Sequence, residues 1–401
     1  VVGAGFAGIT TAYLCAKNNL SVLLIERGKY PGSKNMFGGI IYRKPIAQII
    51  PAFWEKAPIE RYLTKESLWF LDNDSVVKIG FQGLKFSKPP YNKFTVIRNR
   101  FDKWYAEQAK NEGVDLLCET VVKDIIFKKT SLFKRKASGV VLENNEKIIS
   151  DVVVIAEGDI GKLTQKAGLI KEKKSNSITL YVKELLKLPP AKIEERFQIQ
   201  KEGGANLGIL GFPSSGVIGK GGLWTNRDTI SIVVGGYLNQ LVEKKINPYQ
   251  LLTRFKNHPI IKNLIKGAES VEYLAHTIPK GNEKDIPQMV DQGLLVVGDA
   301  LRFVGGAGTT FALLTGKYAA ETIIQAVAAD NFSKEFLSTY TYKLNESYIM
   351  KNNYANKEMK NYFDKYEDVD FLLSKALNNL SYQFFYYDMI TTKQKHKKIF
   401  K

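Results

Sequence analysis

The chain has 401 residues, of which 44% are hydrophobic and 24% charged, so it can bury a substantial core and is not a disordered polypeptide. Its formal charge of +18 favours acidic surfaces as partners, but its lysine clusters accompany no nucleic-acid-binding signature, and we expect no nucleic acid. Its two cysteines and three histidines lack the spacing of redox or metal sites, so we expect no metal, and we interpret Cys15 and Cys118 as small core residues.

The first residues predict a β-α-β unit. Residues 1–2 are the end of a strand, a glycine-rich turn follows, residues 9–18 have a helical pattern and residues 20–25 form a short apolar strand. In the turn, Gly3 permits the tight bend, Gly5 lets the backbone approach a phosphate, and Gly8 lets helix and strand pack closely. The sequence therefore predicts a dinucleotide diphosphate at the start of the helix, with a turn that binds nothing as the alternative.

An acidic residue, Glu26, ends the second strand of this unit. A carboxylate at that place can accept hydrogen bonds from both hydroxyls of an adenosine ribose, which disfavours the 2′-phosphate of NADP. The residues of the unit that we expect to contact the cofactor are Gly3, Gly5, Phe6, Ala7, Gly8, Glu26 and Arg27.

Two later strands complete a split nucleotide-binding domain. Residues 151–158 have the pattern of a buried strand that enters a turn at Gly158, and residues 293–300 that of a strand ending near Asp299. Open α/β sheets bind ligands at the carboxyl ends of their strands. We therefore expect Gly158 to lie at the cofactor and Asp299 to bond the ribitol of a flavin, with a structural turn aspartate as the alternative.

A second glycine-rich turn, residues 305–310, precedes a helical pattern that continues to Ala329. The dipole at the start of this helix would stabilise negative charge on a reduced flavin. Gly306 and Ala307 are the predicted contacts.

Residues 175–288 predict a second, substrate-side domain. Residues 178–183 and 229–235 have strand patterns, and the glycine-containing segments 203–204, 211–213 and 219–222 are interpreted as turns between strands. We expect an antiparallel sheet here that covers the flavin. Four residues could line an apolar channel for an isoprenoid tail or could simply be core: Leu207, Phe212, Leu223 and Trp224.

The predicted fold class is α/β: a split Rossmann-like FAD-binding domain with an inserted α+β antiparallel-sheet substrate domain and a helical C-terminal segment. The expected bounds are 1–174 for the first part of the FAD-binding domain, with a segment near 60–95 joining the substrate domain, 175–288 for the substrate domain, 289–330 for the closing part of the FAD-binding domain, and 331–401 for the C-terminal segment. That segment is rich in Tyr, Phe and Lys, and it predicts either an interfacial anchor or a packed helix with a solvated tail.

Six segments carry a family resemblance over nearly the whole chain: residues 31–39 (PGSKNMFGG), 49–53 (IIPAF), 57–61 (APIER), 95–104 (TVIRNRFDKW), 258–261 (HPII) and 272–279 (EYLAHTIP). Together they resemble the FixC-type branch of the electron transfer flavoprotein-quinone oxidoreductases, within the geranylgeranyl reductase superfamily. The resemblance implies FAD as cofactor, with contacts from Arg98, the backbone of Val122, Gly38 and Gly39. From the residues alone, Arg98 would be a surface cation.

The resemblance also implies an activity. A family member takes electrons from an electron transfer flavoprotein, holds them on FAD and delivers them to a membrane quinone, with a separate ferredoxin-like iron–sulfur subunit as partner. Because the flavin carries the chemistry, no catalytic side chain is expected. We expect a cytoplasmic protein associated peripherally with the inner face of the cell membrane, with an anionic membrane surface as a further candidate partner.

Two other functions fit the sequence. A geranylgeranyl reductase would use FAD to saturate isoprenoid double bonds, although it would need a long hydrophobic tunnel and a cysteine-containing motif near the flavin. A non-catalytic flavin-binding subunit of a redox complex would need neither.

One segment departs from the family pattern, because residues 298–303 read GDALRF where relatives usually read GDAAGF. Arg302 could stabilise reduced flavin or point to solvent as an ordinary turn arginine.

Overall fold

The computed structural model describes residues 1–34, 38–130, 135–170, 178–279, 286–303, 308–352, 365–366, 368–387, 390–391 and 393–395. The chain forms two compact units. Unit 1 comprises Val1–Glu60, Asn92–Ile178 and Thr277–Met359, and unit 2 comprises Arg61–Tyr91, Thr179–His276 and Lys360–Lys401. The predicted C-terminal segment, residues 331–401, is thus divided between the two units.

The α-helices formed by the described residues are, in chain order, α1 (Phe6–Lys17), α2 (Arg43–Ala47), α3 (Arg98–Asn111), α4 (Lys162–Lys166), α5 (Pro190–Phe197), α6 (Leu238–Glu243), α7 (Pro248–Asn257), α8 (Pro259–Ile265), α9 (Gly308–Ala328), α10 (Lys334–Glu346) and α11 (Val369–Phe385). The strands are β1 (Leu23–Ile25), β2 (Gly38–Tyr42), β3 (Ile59–Leu71), β4 (Val76–Gln82), β5 (Lys93–Ile97), β6 (Asp115–Leu117), β7 (Val122–Lys129), β8 (Arg135–Leu142), β9 (Lys147–Ile149), β10 (Val153–Ile155), β11 (Ile178–Lys187), β12 (Gly203–Gly211), β13 (Gly219–Thr225), β14 (Thr229–Tyr237), β15 (Glu269–Pro279), β16 (Val290–Asp291) and β17 (Leu294–Val296).

Unit 1 is built on a parallel sheet. β1 pairs with β6 and β10 pairs with β17, both in parallel, while Val2 bridges Ile25 on one side and Ile155 on the other. The spatial order is therefore β6, β1, Val2, β10, β17, which is third, second, first, fourth and fifth in chain order. In such a doubly wound sheet the ligand crevice lies at the carboxyl ends of the strands, where the order reverses beside the first strand.

Helix α1 packs between two other helices of unit 1. The hydroxyl of Thr10 lies 2.8 Å from the hydroxyl of the fully buried Tyr105 in α3, and the hydroxyl of Thr11 donates to the carbonyl of Gly316 in α9 at 3.2 Å. A Cβ at Gly316 would lie 2.3 Å from the carbonyl oxygen of Ala7, so the two helices cross at a glycine. This close packing fixes the N-terminus of α1 over the sheet.

Unit 2 is built on a sheet in the order β15, β11, β14, β13, β12, β3, with β4 beyond β3. Strands β11, β14, β13 and β12 pair antiparallel, β12 pairs with β3 in parallel, and β3 pairs with β4 antiparallel. Buried side chains from these strands and from α5, α7 and α8 form one hydrophobic core. The predicted strands at 178–183 and 229–235 are parts of β11 and β14.

Two of the predicted glycine turns in unit 2 are wrong. Residues 203–204 begin β12 and residues 219–222 belong to β13, whereas residues 212–214 do form a tight turn. The reason is close backbone packing: a Cβ at Gly219 would lie 2.0 Å from the carbonyl oxygen of Gly235 on β14. Glycine inside a strand often marks such an approach rather than a turn.

The α/β fold class, with a Rossmann-like domain, is confirmed. Leu207, Phe212 and Leu223 lie in the core of unit 2, as the simpler of their two interpretations requires, while Trp224 is half-buried. Cys15 is buried, which raises the pKa of its thiol to about 12, and Cys118 is half-buried. None of the helices that the described residues form has the length and apolarity to cross a membrane.

Candidate functional site

The first glycine turn lies at the carboxyl end of the central strand of unit 1. Gly3 has a φ of +105°, and a Cβ there would lie 2.4 Å from the carbonyl oxygen of Ala156, just after β10. A Cβ at Gly8 would lie 1.9 Å from the carbonyl oxygen of Gly3. Both glycines are therefore required by the backbone packing of the turn itself.

Gly5 differs from its two neighbours, because a Cβ there would meet no atom within 4 Å. Gly5 is the N-cap of α1, and no side chain caps this helix. The open space at Gly5 thus lies where the free backbone N–H groups of a helix start and the positive end of its dipole attract a phosphate. This geometry fits the diphosphate of a dinucleotide.

The carboxylate of Glu26 is held at the end of β1 by two backbone donors. Its oxygens accept hydrogen bonds from the amide of Ala4 at 2.9 Å and from the amide of Gly28 at 2.7 Å. The carbonyl of Glu26 also accepts from the amide of Thr120 at 3.0 Å, which places the chain before Val122 beside this strand end. The arrangement fits an adenosine ribose at Glu26 with the adenine near Val122, whereas the neighbouring Arg27 is exposed.

Arg98 is not a surface cation. Its guanidinium makes a two-pronged ion pair with Asp102 one helical turn later, at 2.8 and 2.7 Å, and lies 4.5 Å from the ring centre of Phe6. A Cβ added at Gly39 would lie 3.7 Å from two side-chain carbons of Arg98. Burial raises the pKa of the Asp102 carboxyl, and the charge of Arg98 lowers it in part. Arg98 is thus held rigidly between the first turn and β2.

Sequence reasoning missed Asp102, although the spacing of four residues from Arg98 on a predicted helix is a recognisable signal for such a pair. It also missed two buried polar atoms. Within the described residues, the hydroxyl of Ser33 and the side-chain oxygen of Asn99 have no hydrogen-bond partner. A Cβ at Gly28 would lie 2.2 Å from the Ser33 hydroxyl, so this hydroxyl lies near the Glu26 carboxylate. Buried polar atoms without partners are typical of a site completed by a ligand.

Two further turns reach the same edge of the parallel sheet. Gly158 follows β10 with a φ of +67°, and a Cβ there would meet nothing within 4 Å. Gly298 follows β17 with a φ of +69°, and a Cβ there would lie 3.0 Å from the Cβ of Ala7 in α1. Its amide donates to the hydroxyl of Thr315 in α9 at 2.9 Å. The half-buried Asp299 is therefore placed beside the first turn.

Arg302 is buried, with 6% of its surface exposed, so the alternative of a solvent-facing turn arginine is wrong. Its backbone is left-handed, with a φ of +59°, and its amide donates to the carbonyl of Asp299 at 2.9 Å. One guanidinium nitrogen lies 3.2 Å from a Cβ position on Gly161.

Most of the predicted contacts in unit 1 thus gather at one edge of its sheet: the first turn, Glu26, Gly158 and Asp299, with Arg98 against Phe6 and Gly39. Gly38 pairs with Ile97 at the start of α3. Gly306 and Ala307 lie outside the described residues. Among the described residues, no group of three or more His, Cys, Asp or Glu side chains could hold a metal ion.

Comparisons with known proteins agree with this geometry. Residues 1–51 match the family described as an NAD(P)-binding Rossmann-like domain. The chain is 38% identical to protein FixC of Azotobacter vinelandii over 390 residues, 95% of this chain and 89% of that protein. It is 35% identical to protein FixC of Escherichia coli (strain K12) over 345 residues, 85% of this chain and 79% of that protein.

Two solved structures have a similar fold. A geranylgeranyl bacteriochlorophyll reductase-like protein from Thermoplasma acidophilum has a TM-score of 0.75 at 20% identity, with 99% of this chain and 94% of that chain covered. The myxobacterial chondrochloren halogenase CndH, an FAD-dependent halogenase, has a TM-score of 0.61 at 17% identity, with 100% and 87% covered. These two likenesses show the fold, and the turn, the Glu26 carboxylate and the open edge described above fit the diphosphate and ribose of a dinucleotide cofactor.

Proposed function

Because the chain belongs to the FixC family, we propose that it relays electrons from an electron transfer flavoprotein through FAD to a membrane quinone, with a ferredoxin-like iron–sulfur protein as a further partner. The family and the fold support an FAD-dependent oxidoreductase. Bound FAD supplies the redox chemistry, since a flavin exchanges one or two electrons. The side chains of unit 1 then have the tasks of binding, orienting and shielding it.

Each group at the sheet edge has a proposed task. Gly5 and the start of α1 would bind the diphosphate, and Glu26 the ribose hydroxyls. Asp299 would bind the ribitol. Arg98, fixed by Asp102, would contact FAD from the side of Gly39.

Two further residues would contact the cofactor through their backbone. Val122 and Gly158 would let the main chain approach the cofactor. The sequence alone supports four further contacts with the cofactor: Arg27, Gly38, Gly306 and Ala307.

The single observation that supports delivery to a membrane is the inverted polarity of α11 in unit 2. Its two buried side chains, Ser374 and Asn378, are both polar, and the amide of Asn378 donates to the carbonyl of Phe70 at 2.9 Å. A Cβ at Gly211 would lie 2.5 Å from Ser374, so only a small side chain fits there. A soluble helix usually buries its apolar face, whereas α11 buries two polar side chains and leaves most of its leucines and aromatic residues exposed.

The outward face of α11 and the residues after it expose many apolar and aromatic side chains, together with Lys375 and Asn379. The exposed apolar and aromatic side chains are Leu372, Leu373, Leu380, Tyr382, Phe384, Phe385, Tyr386 and Tyr387. Strand β4 and the turn after it expose three more apolar side chains in the same unit, Ile79, Phe81 and Leu84. Apolar and aromatic side chains beside lysines are typical of a surface that lies in a membrane interface.

We therefore propose that the protein is cytoplasmic and rests peripherally on the inner face of the cell membrane, where it can reach a quinone. Its formal charge of +18 would add attraction to an anionic leaflet. The same basic surface would suit an acidic ferredoxin-like partner.

The test is anaerobic mixing of the purified FAD-loaded protein with reduced electron transfer flavoprotein, followed by addition of a short-chain quinone. We expect the flavin absorbance to bleach in the first step and to return in the second. Protein stripped of FAD is the control. If the quinone does not restore the absorbance, but the protein saturates a geranylgeranyl lipid, the electron-relay proposal is wrong and the protein is a geranylgeranyl reductase.

A further inference from the structure

A cavity of about 420 Å³ in unit 2 is built on the hairpin of β3 and β4. Lys65, Ser67 and Trp69 alternate along β3 and so share one face of the sheet. Across the hairpin, Lys65 pairs with Gln82, Ser67 with Gly80 and Trp69 with Lys78. A Cβ at Gly80 would lie 2.4 Å from the Ser67 hydroxyl, so a glycine keeps the middle of this face open. The end of α5 and Leu264 form the other wall.

The lining of this cavity is cationic. It contains Lys65, Lys78 and Arg196 and, among the described residues, no carboxylate. Burial, followed by the charge of Lys78, lowers the pKa of Lys65. The ammonium of Lys65 donates to the carbonyl of Phe197 at 2.9 Å, and that of Lys78 lies 4.2 Å from the ring centre of Trp69. Neither contact neutralises the positive charge of the two lysines, so the cavity favours an anion.

Two other polar side chains of the wall already donate hydrogen bonds to backbone carbonyls. Arg196 donates to the carbonyls of Leu264 at 3.1 Å and Lys266 at 2.7 Å, and the amide of Gln82 donates to the carbonyl of Gln198 at 3.0 Å. An anion that enters would therefore be bound mainly by the two lysines.

A second cavity, of about 540 Å³, adjoins the first and shares Lys78 with it. It lies between β4 and α11, and its lining includes Val76, Val77, Tyr382 and Phe385. Apolar and aromatic side chains of this kind accommodate a hydrocarbon chain. Lys78 thus separates a cationic cavity from an apolar one.

We propose that these two cavities bind one anionic phospholipid, with its phosphate at Lys65 and Lys78 and an acyl chain between β4 and α11. A free phosphate would use the lysines and leave the apolar cavity without a role, and an acidic protein side chain would be too short to fill it. This inference rests on the proposed membrane contact of unit 2 and adds to it a specific lipid class and site.

The experiment compares binding to phosphatidylcholine vesicles with and without phosphatidylglycerol. The variant K65Q/K78Q removes two charges from the cavity, and K128Q/K129Q removes two exposed charges from β7 in unit 1 as the matched control. Each basic residue near an anionic surface contributes about 1 kcal/mol, so we expect K65Q/K78Q to weaken binding to the phosphatidylglycerol vesicles about tenfold or more. The control should change it less than about threefold, and K65R/K78R should restore it.

Three results would overturn the inference: equal losses in K65Q/K78Q and the control, an equal loss on pure phosphatidylcholine, or full competition by inorganic phosphate. A rise in the KM for a short-chain quinone with unchanged vesicle binding would assign the cavities to quinone instead. Quinone reduction in detergent separates this inference from the proposed function. K65Q/K78Q should retain quinone reduction in detergent. If the unmodified protein does not reduce the quinone, the proposed function is contradicted, and the lipid site is then judged by vesicle binding alone.

Discussion

At the scale of single residues, the three glycines of the first turn have different tasks. The sequence pattern identifies all three glycines but does not show which task each one has. Gly3 and Gly8 are required by backbone atoms within 2.4 Å of their Cβ positions, whereas Gly5 faces open space. The pattern indicated a dinucleotide turn because its spacing is shared by many such sites. Only the structure separates glycines that the fold requires from the glycine that leaves room for a ligand.

This difference can be measured by two alanine substitutions. Gly8→Ala should destabilise the FAD-free protein by about 3 kcal/mol or more, because its methyl group would meet a carbonyl oxygen. Gly5→Ala should leave that stability almost unchanged and weaken FAD binding about tenfold or more, since the methyl group occupies the place of the diphosphate. Thermal unfolding of the FAD-free protein and an FAD titration decide between them. Equal losses of stability in both variants would contradict the assignment.

Arg302 gives a second prediction at this scale. Burying a cation costs desolvation free energy, and a bound anion beside Arg302 would offset that cost. We expect Arg302→Met to raise the unfolding temperature of the FAD-free protein and to weaken FAD binding about tenfold or more. Titrations with ADP, which carries the diphosphate without the flavin, and with riboflavin, which lacks the diphosphate, show which part of FAD Arg302 acts on. A fall in stability with unchanged FAD affinity would show that Arg302 is only structural.

The sequence predicted some parts of the site and missed others for identifiable reasons. Glu26 and Asp299 follow short buried strands, a local pattern, and both lie at the expected sheet edge. The burial of Arg302 depends on Gly161, far away in the chain, and no local pattern encodes that contact.

At the scale of elements, the strands of unit 1 were predictable because parallel strands are short apolar runs. The glycines of β12 and β13 were interpreted as turns because glycine usually interrupts a strand. Their strand conformation depends on how closely neighbouring strands approach, as at Gly219 and Gly235, and that is a property of the sheet rather than of the segment.

The prediction at the scale of elements concerns helix α11. If its outward face lies in a membrane, Phe385→Ser with Tyr387→Ser should reduce binding to phosphatidylglycerol vesicles by about tenfold or more, because two large apolar groups no longer leave water. The matched control replaces two exposed residues of unit 1, Ile149→Ser with Tyr342→Ser. Co-sedimentation with vesicles measures both. A loss in the control as large as in the α11 variant would contradict an interfacial role for this helix.

At the scale of the whole molecule, the two units have separable properties. Unit 1 carries the parallel sheet and the groups that fit FAD, and unit 2 carries the inverted helix and the cationic cavity. The sequence indicated the α/β class and the cofactor from local motifs. It left the membrane contact open, since whether the aromatic residues of the C-terminal part are core or surface depends on which face of α11 the sheet of unit 2 accepts.

The most direct test of the electron relay is reoxidation of the reduced flavin by a quinone within vesicles. The FAD-loaded protein is photoreduced without oxygen and mixed with phosphatidylglycerol vesicles that contain a long-chain quinone, and the flavin absorbance is followed in time. We predict that the absorbance returns with these vesicles, returns much more slowly with the α11 variant, and stays bleached with vesicles that lack quinone. A flavin that stays reduced in the presence of the vesicle quinone would contradict the account.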